Sequence, residues 1–332
     1  MKKLINQPEA VVSEMLSGMV AAHPEYLRKL PDYNCLVRVD APVAGKVGII
    51  SGGGSGHEPA HAGYIGKGML DGACAGNVFS SPTPDHFYVA AKAVDSGAGV
   101  LMVIKNYSGD LMNSEMAAEM AEADGLQVTR VIVNDDVAVE NSTWTTGRRG
   151  IAGTVFIHKI AGAKAAQGGS LSEVTAVAEK ANANTRSMGM ALTPCIVPVA
   201  GKANFSLADD EMEIGMGIHG EPGIHRSSLE NADAVATMLL EKIINDLPYK
   251  KGDEVAVLVN GLGATPLMEL YIMNRKVSEI LAAHEIKIIK TYVGEYMTSL
   301  EMAGCSISLL KLDEELKSLL EYPADTPGFK QF

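Results

Sequence analysis

Residues 47–61, with the sequence VGIISGGGSGHEPAH, constrain the fold of this chain more than any other stretch. A short apolar run is followed by Ser51, by four glycines within five residues, and then by His57, Glu58 and Pro59. Glycine is required where the backbone adopts a positive φ or where a ligand approaches the main chain closely. Proline suits the first turn of a helix, where its missing N–H costs nothing. The pattern predicts a strand, a loop that cradles a ligand, and a helix with an imidazole at its N-terminal end.

Apolar runs and helical stripes alternate along the whole chain, which is typical of an α/β protein. Strands are predicted at residues 47–51, 99–104, 126–133, 191–197, 212–218, 254–260, 286–293 and 306–310. In a helix that starts near residue 110, Met112, Met116 and Met120 share one face, away from the glutamates. Further helices are predicted after the turn at residues 147–150, after the capping box of Ser170 and Glu173, across the stripe of Val235, Leu239 and Ile243, and at residues 313–320.

The chain has 332 residues, which is enough for two domains with cores of their own. We therefore expect two α/β domains, each a mixed sheet with flanking helices. The expected boundary lies where a helical pattern fades, so that residues 1–185 contain the GGGSGHEP and KNYSGD loops and residues 186–332 contain the GIHGEPG loop. The tail after Pro323 is expected to be irregular.

The composition excludes several classes of partner. A formal net charge of −12 argues against nucleic acid or an anionic membrane, because both reward a basic surface. The four cysteines are far apart and form no CxxC, which argues against a disulfide framework and a zinc site. Polar residues interrupt the N-terminus before an apolar signal core could form, and no apolar run has membrane-spanning length. We expect a soluble cytoplasmic protein.

Three predicted strands end in loops that contain ionisable residues. These loops are residues 52–57, residues 105–110 (KNYSGD) and residues 218–223 (IHGEPG). Ligands of open α/β sheets bind outside the carboxyl ends of strands. Any one of these loops alone is more often a solvated turn than a site, but three together favour one shared pocket.

Four other motifs fit the glycine-rich stretch less well. Residues 57–61 have the form of the HExxH zinc signature, but that site needs both histidines on an established helix, and here glycines precede it and a proline lies inside it. The stretch also lacks the GK[ST] of a P-loop and the third glycine of a dinucleotide fingerprint. Ser51 or Ser55 beside His57 leaves a serine nucleophile open, although GxSxG is absent. We predict no metal site.

The remaining candidates are weaker. Arg148 and Arg149 in TTGRRG could bind a phosphate or an acidic partner, and a polar turn before a helix is an equally good interpretation. His225 has no assignable role. Structural roles are expected for four other histidines, His23, His86, His158 and His284.

Six ordered motifs carry a family resemblance: GGGSGHEP, GNVFSSP, KNYSGD, TTGRRG, GIHGEPG and NGLGATPLMELY. Together they resemble the substrate-binding half of dihydroxyacetone kinases, and the resemblance extends from the N-terminus to near the end of the chain. The chain most resembles the separate substrate-binding subunit of the bacterial phosphotransferase (PEP)-dependent system. Single-chain ATP-dependent kinases of the family append a helical nucleotide-binding domain, which we expect this chain to lack.

The resemblance implies a phosphotransferase that converts dihydroxyacetone to dihydroxyacetone phosphate. His219 would form a covalent hemiaminal with the substrate carbonyl, and His57 would be the general base for the hydroxyl that receives the phosphoryl group. Asp110 would hydrogen-bond that hydroxyl or share its proton. The other hydroxyl would be held by Lys105 and by the backbone of three residues, Gly54, Ser55 and Gly56.

A covalent bond suits so small a substrate. With about six heavy atoms, dihydroxyacetone gains at most roughly 9 kcal/mol from non-covalent contacts. Hydroxyl contacts alone would barely separate it from glycerol, whereas a ring nitrogen that adds to the carbonyl selects ketones and aldehydes. The imidazole must be neutral when it attacks.

The resemblance also implies the partners. This chain is expected to bind no cofactor of its own: ADP or ATP and Mg²⁺ would be held by a separate helical kinase subunit, which a phosphoryl-carrier subunit serves indirectly. A homodimer and a place in glycerol metabolism are expected on the same grounds.

Two rival functions remain open. A paralogue could bind the ketone through His219 and act as a non-catalytic transcriptional coactivator, but such relatives are expected to lose the base or the acid, and both His57 and Asp110 are present. A serine hydrolase that uses Ser55 and His57 would hydrolyse esters without any partner.

Overall fold

The chain forms two six-stranded mixed sheets with helices packed on them in a computed structural model, which describes residues 2–140 and 147–332. This architecture confirms the predicted fold class of two α/β domains. The first two residues of the TTGRRG motif, Thr145 and Thr146, lie outside the described residues.

The first sheet contains the strand order β1-β2-β4-β3-β5-β6, with parallel pairing from β4 to β6 and antiparallel pairing of β2 with both neighbours. Its strands are β1 (Leu27–Lys29), β2 (Cys35–Arg38), β3 (Gly48–Ser55), β4 (Gly72–Val78), β5 (Val100–Lys105) and β6 (Val128–Val133). The helices of this part are α1 (Val11–Ala22), α2 (Pro84–Val94), α3 (Ser108–Ala123), α4 (Thr154–Ala166) and α5 (Leu171–Ala183). The predicted capping box of Ser170 and Glu173 starts α5.

The second sheet has the order β11-β10-β12-β7-β8-β9, with one parallel pair, β10 with β11. Its strands are β7 (Thr185–Ala191), β8 (Glu211–Ile214), β9 (His225–Ser228), β10 (Glu254–Gly261), β11 (Lys287–Gly294) and β12 (Gly304–Leu312). Its first strand thus starts beside the expected domain boundary. The helices are α6 (Ala232–Asp246), α7 (Leu267–Ala283) and α8 (Glu314–Glu321), and a hairpin of β13 (Ala324–Asp325) and β14 (Lys330–Gln331) ends the chain.

Helix α4 lies between the two sheets. Eleven of its thirteen residues are buried, because its sequence, TVFIHKIAGAKAA, has apolar or small residues on almost every side. Its side chains share one apolar core with Ile49 and Leu101 of the first sheet and with Leu258 and Leu310 of the second. Gly162 allows close packing here, because a Cβ at this position would lie 2.4 Å from Cα of Met69. The two domains therefore share a core.

The prediction for residues 47–61 was partly wrong. Strand β3 continues through the glycines to Ser55, and residues after the cis Glu58–Pro59 bond form turns and a short 3-10 helix, Ala62–Tyr64, where an α-helix was predicted. The glycines belong to the strand because neighbouring residues approach it too closely to leave room for side chains. A Cβ on Gly52 would lie 2.7 Å from the Phe87 ring, and one on Gly54 would lie 2.6 Å from the Ser80 nitrogen.

Other predictions also need correction. Residues 192–197 leave the second sheet after β7, since Pro194 cannot donate to a strand ladder, and β8 ends at Ile214. The tail after Pro323 contains the β13–β14 hairpin and is not irregular. The methionine face of α3 is exposed to solvent. The sequence patterns also missed β1, β2, β4, β9 and α2. No helix in the described ranges is both long and apolar enough to cross a membrane.

Candidate active site

The structure brings the three predicted loops together at the junction of the two sheets. His57 follows β3, Lys105 ends β5, and His219 follows β8. The ring centroids of His57 and His219 are 4.8 Å apart. A fourth loop, after β11, closes the junction: Leu300 N donates to the carbonyl oxygen of Gly56 over 2.8 Å. The site therefore uses residues from both domains.

His57 is fully buried and its tautomer follows from its contacts. Its Nδ1 lies 2.8 Å from the carbonyl oxygen of Thr298, which can only accept, so Nδ1 carries the hydrogen. Its Nε2 therefore has a lone pair and has no hydrogen-bond partner. Burial first, and then electrostatic interactions with His219 and Lys105, lower the pKa of His57 well below its usual value. The Phe79 ring stacks on it at 5.3 Å. A neutral, unpartnered Nε2 can accept a proton from a ligand.

His219 is oriented by Glu221. Its Nδ1 lies 2.7 Å from Glu221 Oε1, and its backbone N–H donates to Oε2 of the same carboxylate over 2.9 Å. Burial would raise the pKa of Glu221, but the hydrogen bonds from His219 outweigh it and lower the pKa to about 2. An ionised carboxylate at Nδ1 holds the hydrogen there and leaves the lone pair on Nε2. The Tyr107 ring contacts the His219 ring edge-on at 4.6 Å.

Lys105 and Asp110 form the charged side of the site. Both are buried, and Nζ of Lys105 lies 4.0 Å from Oδ2 of Asp110, which stands in the first turn of α3. Burial lowers the pKa of Lys105, and the charge of Asp110 opposes that shift. Oδ1 of Asp110 has no hydrogen-bond partner. A buried polar atom without a partner is unfavourable unless a ligand or water satisfies it.

The three predicted backbone contacts lie at the end of β3. Gly54 pairs with Gly76 in the sheet, and the Ser55 hydroxyl donates to the Gly76 carbonyl over 2.7 Å. The main-chain groups of Gly56 are both occupied, by Glu58 and Leu300. Gly53 is the glycine that faces the charged pair, since a Cβ there would lie 2.5 Å from Nζ of Lys105.

The residues of the zinc signature and the serine-nucleophile motif make other contacts in the structure. His57 and His61 share no helix, and His61 contacts Lys105 and His158. Across residues 2–140 and 147–332, no cluster of three His, Cys, Asp or Glu side chains could hold a metal ion. Ser51 donates to the Val103 carbonyl.

The two arginines of TTGRRG form ion pairs within the protein. Arg148 pairs through both terminal nitrogens with Asp246, and Arg149 pairs with Asp136 over 2.7 Å and donates to the Gly215 carbonyl. His225 is exposed and lies in β9.

Several residues of the site were not found by sequence reasoning. Glu221 stood in the GIHGEPG motif, and its spacing of two from His219 was the available signal. Phe79 lay likewise inside GNVFSSP. Thr298 gave no local signal, because its contact with His57 joins residues far apart in sequence.

Comparisons with known proteins identify the family of the chain. The model of the Dak1 domain family matches residues 17–328. The chain is 51% identical to "PTS-dependent dihydroxyacetone kinase 1, dihydroxyacetone-binding subunit DhaK" of Listeria innocua, over 98% of this chain and 99% of that protein.

Two solved structures are similar over almost the whole chain. The dihydroxyacetone kinase of C. freundii has a TM-score of 0.90 and 36% identity, with 99% of this chain and 60% of that chain covered. A protein described as "Dihydroxyacetone kinase operon co-activator Dha-DhaQ" also has a TM-score of 0.90 and 36% identity, with 96% of this chain and 98% of that chain covered.

Proposed function

Because the chain belongs to the Dak1 family, we propose that it is the dihydroxyacetone-binding subunit of a kinase that forms dihydroxyacetone phosphate. The observation that supports this most is the pair of histidines at the junction of the sheets. One has a buried, unpartnered Nε2, and the other has its Nδ1 fixed by a carboxylate, at a ring distance of 4.8 Å.

In this proposal, Nε2 of His219 adds to the substrate carbonyl. The nitrogen lone pair forms the new N–C bond, the C=O π bond breaks, and the oxygen takes a proton from solvent to give a hemiaminal. The ring gains positive charge, which the Glu221 carboxylate at 2.7 Å stabilises. The covalent bond fixes the orientation of a substrate too small to be held by many contacts.

His57 then acts on the hydroxyl that receives the phosphoryl group. Its Nε2 would accept the hydroxyl proton while the oxygen forms a bond to phosphorus and the bond between phosphorus and the donor breaks, which leaves the remainder of the donor on its own protein. Oδ1 of Asp110, which has no hydrogen-bond partner, would accept from the same hydroxyl, and Lys105 would donate to the other. Phosphoryl transfer depends on positioning and charge more than on covalent chemistry, so this chain supplies the acceptor and its base.

The donor is proposed to come from another protein. A separate helical subunit would hold ADP or ATP with Mg²⁺, and a phosphoryl carrier would recharge that nucleotide. Homodimer formation, a cytoplasmic location and a role in glycerol metabolism complete the proposal. The 51% identity to the Listeria protein named as a PTS-dependent subunit supports this arrangement.

The coactivator alternative is less well supported. The co-activator of known structure is 36% identical to this chain, against 51% for the kinase subunit. In this chain both the base candidate, His57, and the acid candidate, Asp110, are present, and each has a buried side-chain atom without a hydrogen-bond partner.

Reconstitution tests the function directly. The purified chain with dihydroxyacetone and ATP should give no product, and addition of a nucleotide-carrying kinase subunit should give turnover. Efficient turnover by the chain alone would contradict the separate-donor proposal. Absence of turnover with the subunit, despite ketone binding, would favour the coactivator.

Native mass spectrometry tests the covalent step. A substrate adduct should be present in the wild-type protein and in His57→Ala, and absent in His219→Ala. His57→Ala should also abolish turnover. An adduct that survives in His219→Ala would exclude the hemiaminal at this residue, and normal turnover of His57→Ala would exclude the base assignment.

A further inference from the structure

Two buried histidines, His61 and His158, have no part in the proposed reaction although they join Lys105 in one row. Nζ of Lys105 lies 2.8 Å from Nε2 of His61, and Nδ1 of His61 lies 3.0 Å from Nε2 of His158. All three side chains are buried, and they come from the end of β5, the loop after β3 and the buried helix α4. Three elements of the fold thus converge on one hydrogen-bonded row.

A neighbouring serine fixes the direction of this row. Ser51 Oγ donates its hydrogen to the Val103 carbonyl over 2.7 Å, so at 3.3 Å from His61 Nδ1 it can only accept. His61 therefore carries its hydrogen on Nδ1, and its Nε2 has a lone pair that accepts from Lys105. The same Nδ1 hydrogen points to Nε2 of His158, which must accept, so His158 is also protonated on Nδ1.

This direction has a consequence for the charged pair of the site. Lys105 donates to His61, while its distance to Asp110 Oδ2 is 4.0 Å, beyond a hydrogen bond. A buried ammonium without another acceptor would move onto the carboxylate, since oppositely charged groups pair strongly where water is excluded. Oδ1 of Asp110 then stays without a partner and remains available to a ligand.

We propose that His61 and His158 are positioning residues that hold the Lys105 ammonium apart from Asp110, so that both can bind hydroxyls of the ketone. The inference rests on the proposed function for the identity of that ligand. A neutral imidazole suits this task because it accepts a hydrogen bond without neutralising the lysine, which a carboxylate at residue 61 would do.

The ionisable groups around Lys105 agree with a neutral pair. Asp110 of α3, His57 and His61 of the loop after β3, and His158 of α4 face it. Burial, and then the charge of Lys105, lower the pKa of His61, and they lower that of His158 to about 3. Both histidines thus remain acceptors at neutral pH.

Nuclear magnetic resonance tests the row without reference to activity. Long-range ¹H–¹⁵N correlation spectra of the ¹⁵N-labelled wild-type protein should show His61 and His158 neutral and protonated on Nδ1, the less common form of free histidine. The signals are assigned from their loss in His61→Gln and His158→Gln. A His61 ring protonated on Nε2, or an imidazolium at pH 7, would overturn the proposal.

A pair of substitutions tests the effect on the ligand. His61→Leu removes the acceptor and should weaken dihydroxyacetone binding about tenfold or more, with a raised KM in the reconstituted system. His61→Gln places an amide oxygen near Nε2 and should recover binding to within about threefold of the wild type. Normal binding in both variants would refute the role of His61, whereas absence of binding in the wild-type protein would refute the proposed function itself.

Discussion

Replacement of Glu221 by glutamine tests whether a carboxylate is required behind His219. The amide keeps the shape of the side chain and an acceptor for the His219 backbone N–H. The NH₂ group then faces Nδ1 and donates to it, which moves the ring hydrogen to Nε2 and removes the lone pair proposed to attack the ketone. The contact that is lost, at 2.7 Å, is a charge-assisted hydrogen bond.

Hydrogen bonds to charged groups contribute about 1.5–3 kcal/mol, and each 1.4 kcal/mol is a factor of ten. Glu221→Gln should therefore weaken the dihydroxyacetone adduct by about 10- to 100-fold. With a pKa of about 2, the Glu221 carboxylate is ionised at every pH above about 4, so the weakening should be measurable at pH 7 without any titration of Glu221 itself.

The assay is a dihydroxyacetone titration followed by native mass spectrometry, with turnover in the reconstituted system as a second measurement. Glu213→Gln is the matched control, since Glu213 accepts from Gly223 N of the same loop over 2.7 Å without touching His219. An adduct affinity in Glu221→Gln equal to that of the control would refute the reasoning.

Three further predictions concern stability. Gly162→Ala should destabilise the protein by about 1–3 kcal/mol in urea unfolding, because the added methyl group overpacks against Met69. Gly18→Ala, on the open face of α1, should stabilise the protein by about 0.5–1 kcal/mol. Equal effects of the two substitutions on the free energy of unfolding would contradict the packing of α4. Asp71 accepts from Lys46 at 2.5 Å and from Arg38 at 3.2 Å, so Asp71→Ala should lower the free energy of unfolding by about 3–5 kcal/mol. Asp124→Ala, the control, removes a solvent-exposed pair with Lys92 and should change the unfolding midpoint little. His57, His61 and His158 have lowered pKa values in the folded state, so below about pH 6.5 the unfolded chain binds protons that the folded chain does not, and stability should fall as the pH decreases. Unfolding curves that coincide at pH 7.5 and 5.5 would contradict the buried, neutral state of these rings.

The fold class could be predicted from the sequence because apolar runs and helical stripes are local patterns. The continuation of β3 through the glycines could not be predicted, since it depends on Phe87 and Ser80 closing against a strand without side chains. The exposed methionine face of α3 was similarly undetermined, because periodicity shows which residues share a face but not which face is buried.

The site likewise contains residues that local sequence patterns indicate and contacts that they do not. His57, Lys105, Asp110 and His219 were candidates because each follows a predicted strand, and the structure brings them together. Their roles stay predictions. His158 was expected to be structural, and its contact with His61 depends on how α4 crosses the first sheet, which no local pattern contains.

Helix α4 also sets how this protein can move. Because one buried helix forms a wall of both sheets, neither domain can rotate away without exposing the apolar surface that they share. Each sheet also has a core of its own on the face away from α4, but the shared core opposes rotation of one domain against the other. We therefore expect slow hydrogen exchange in β3, α4 and β10, the elements that border the shared core. A change in the 4.8 Å spacing between the His57 and His219 rings by domain rotation would therefore cost the burial of this shared apolar surface.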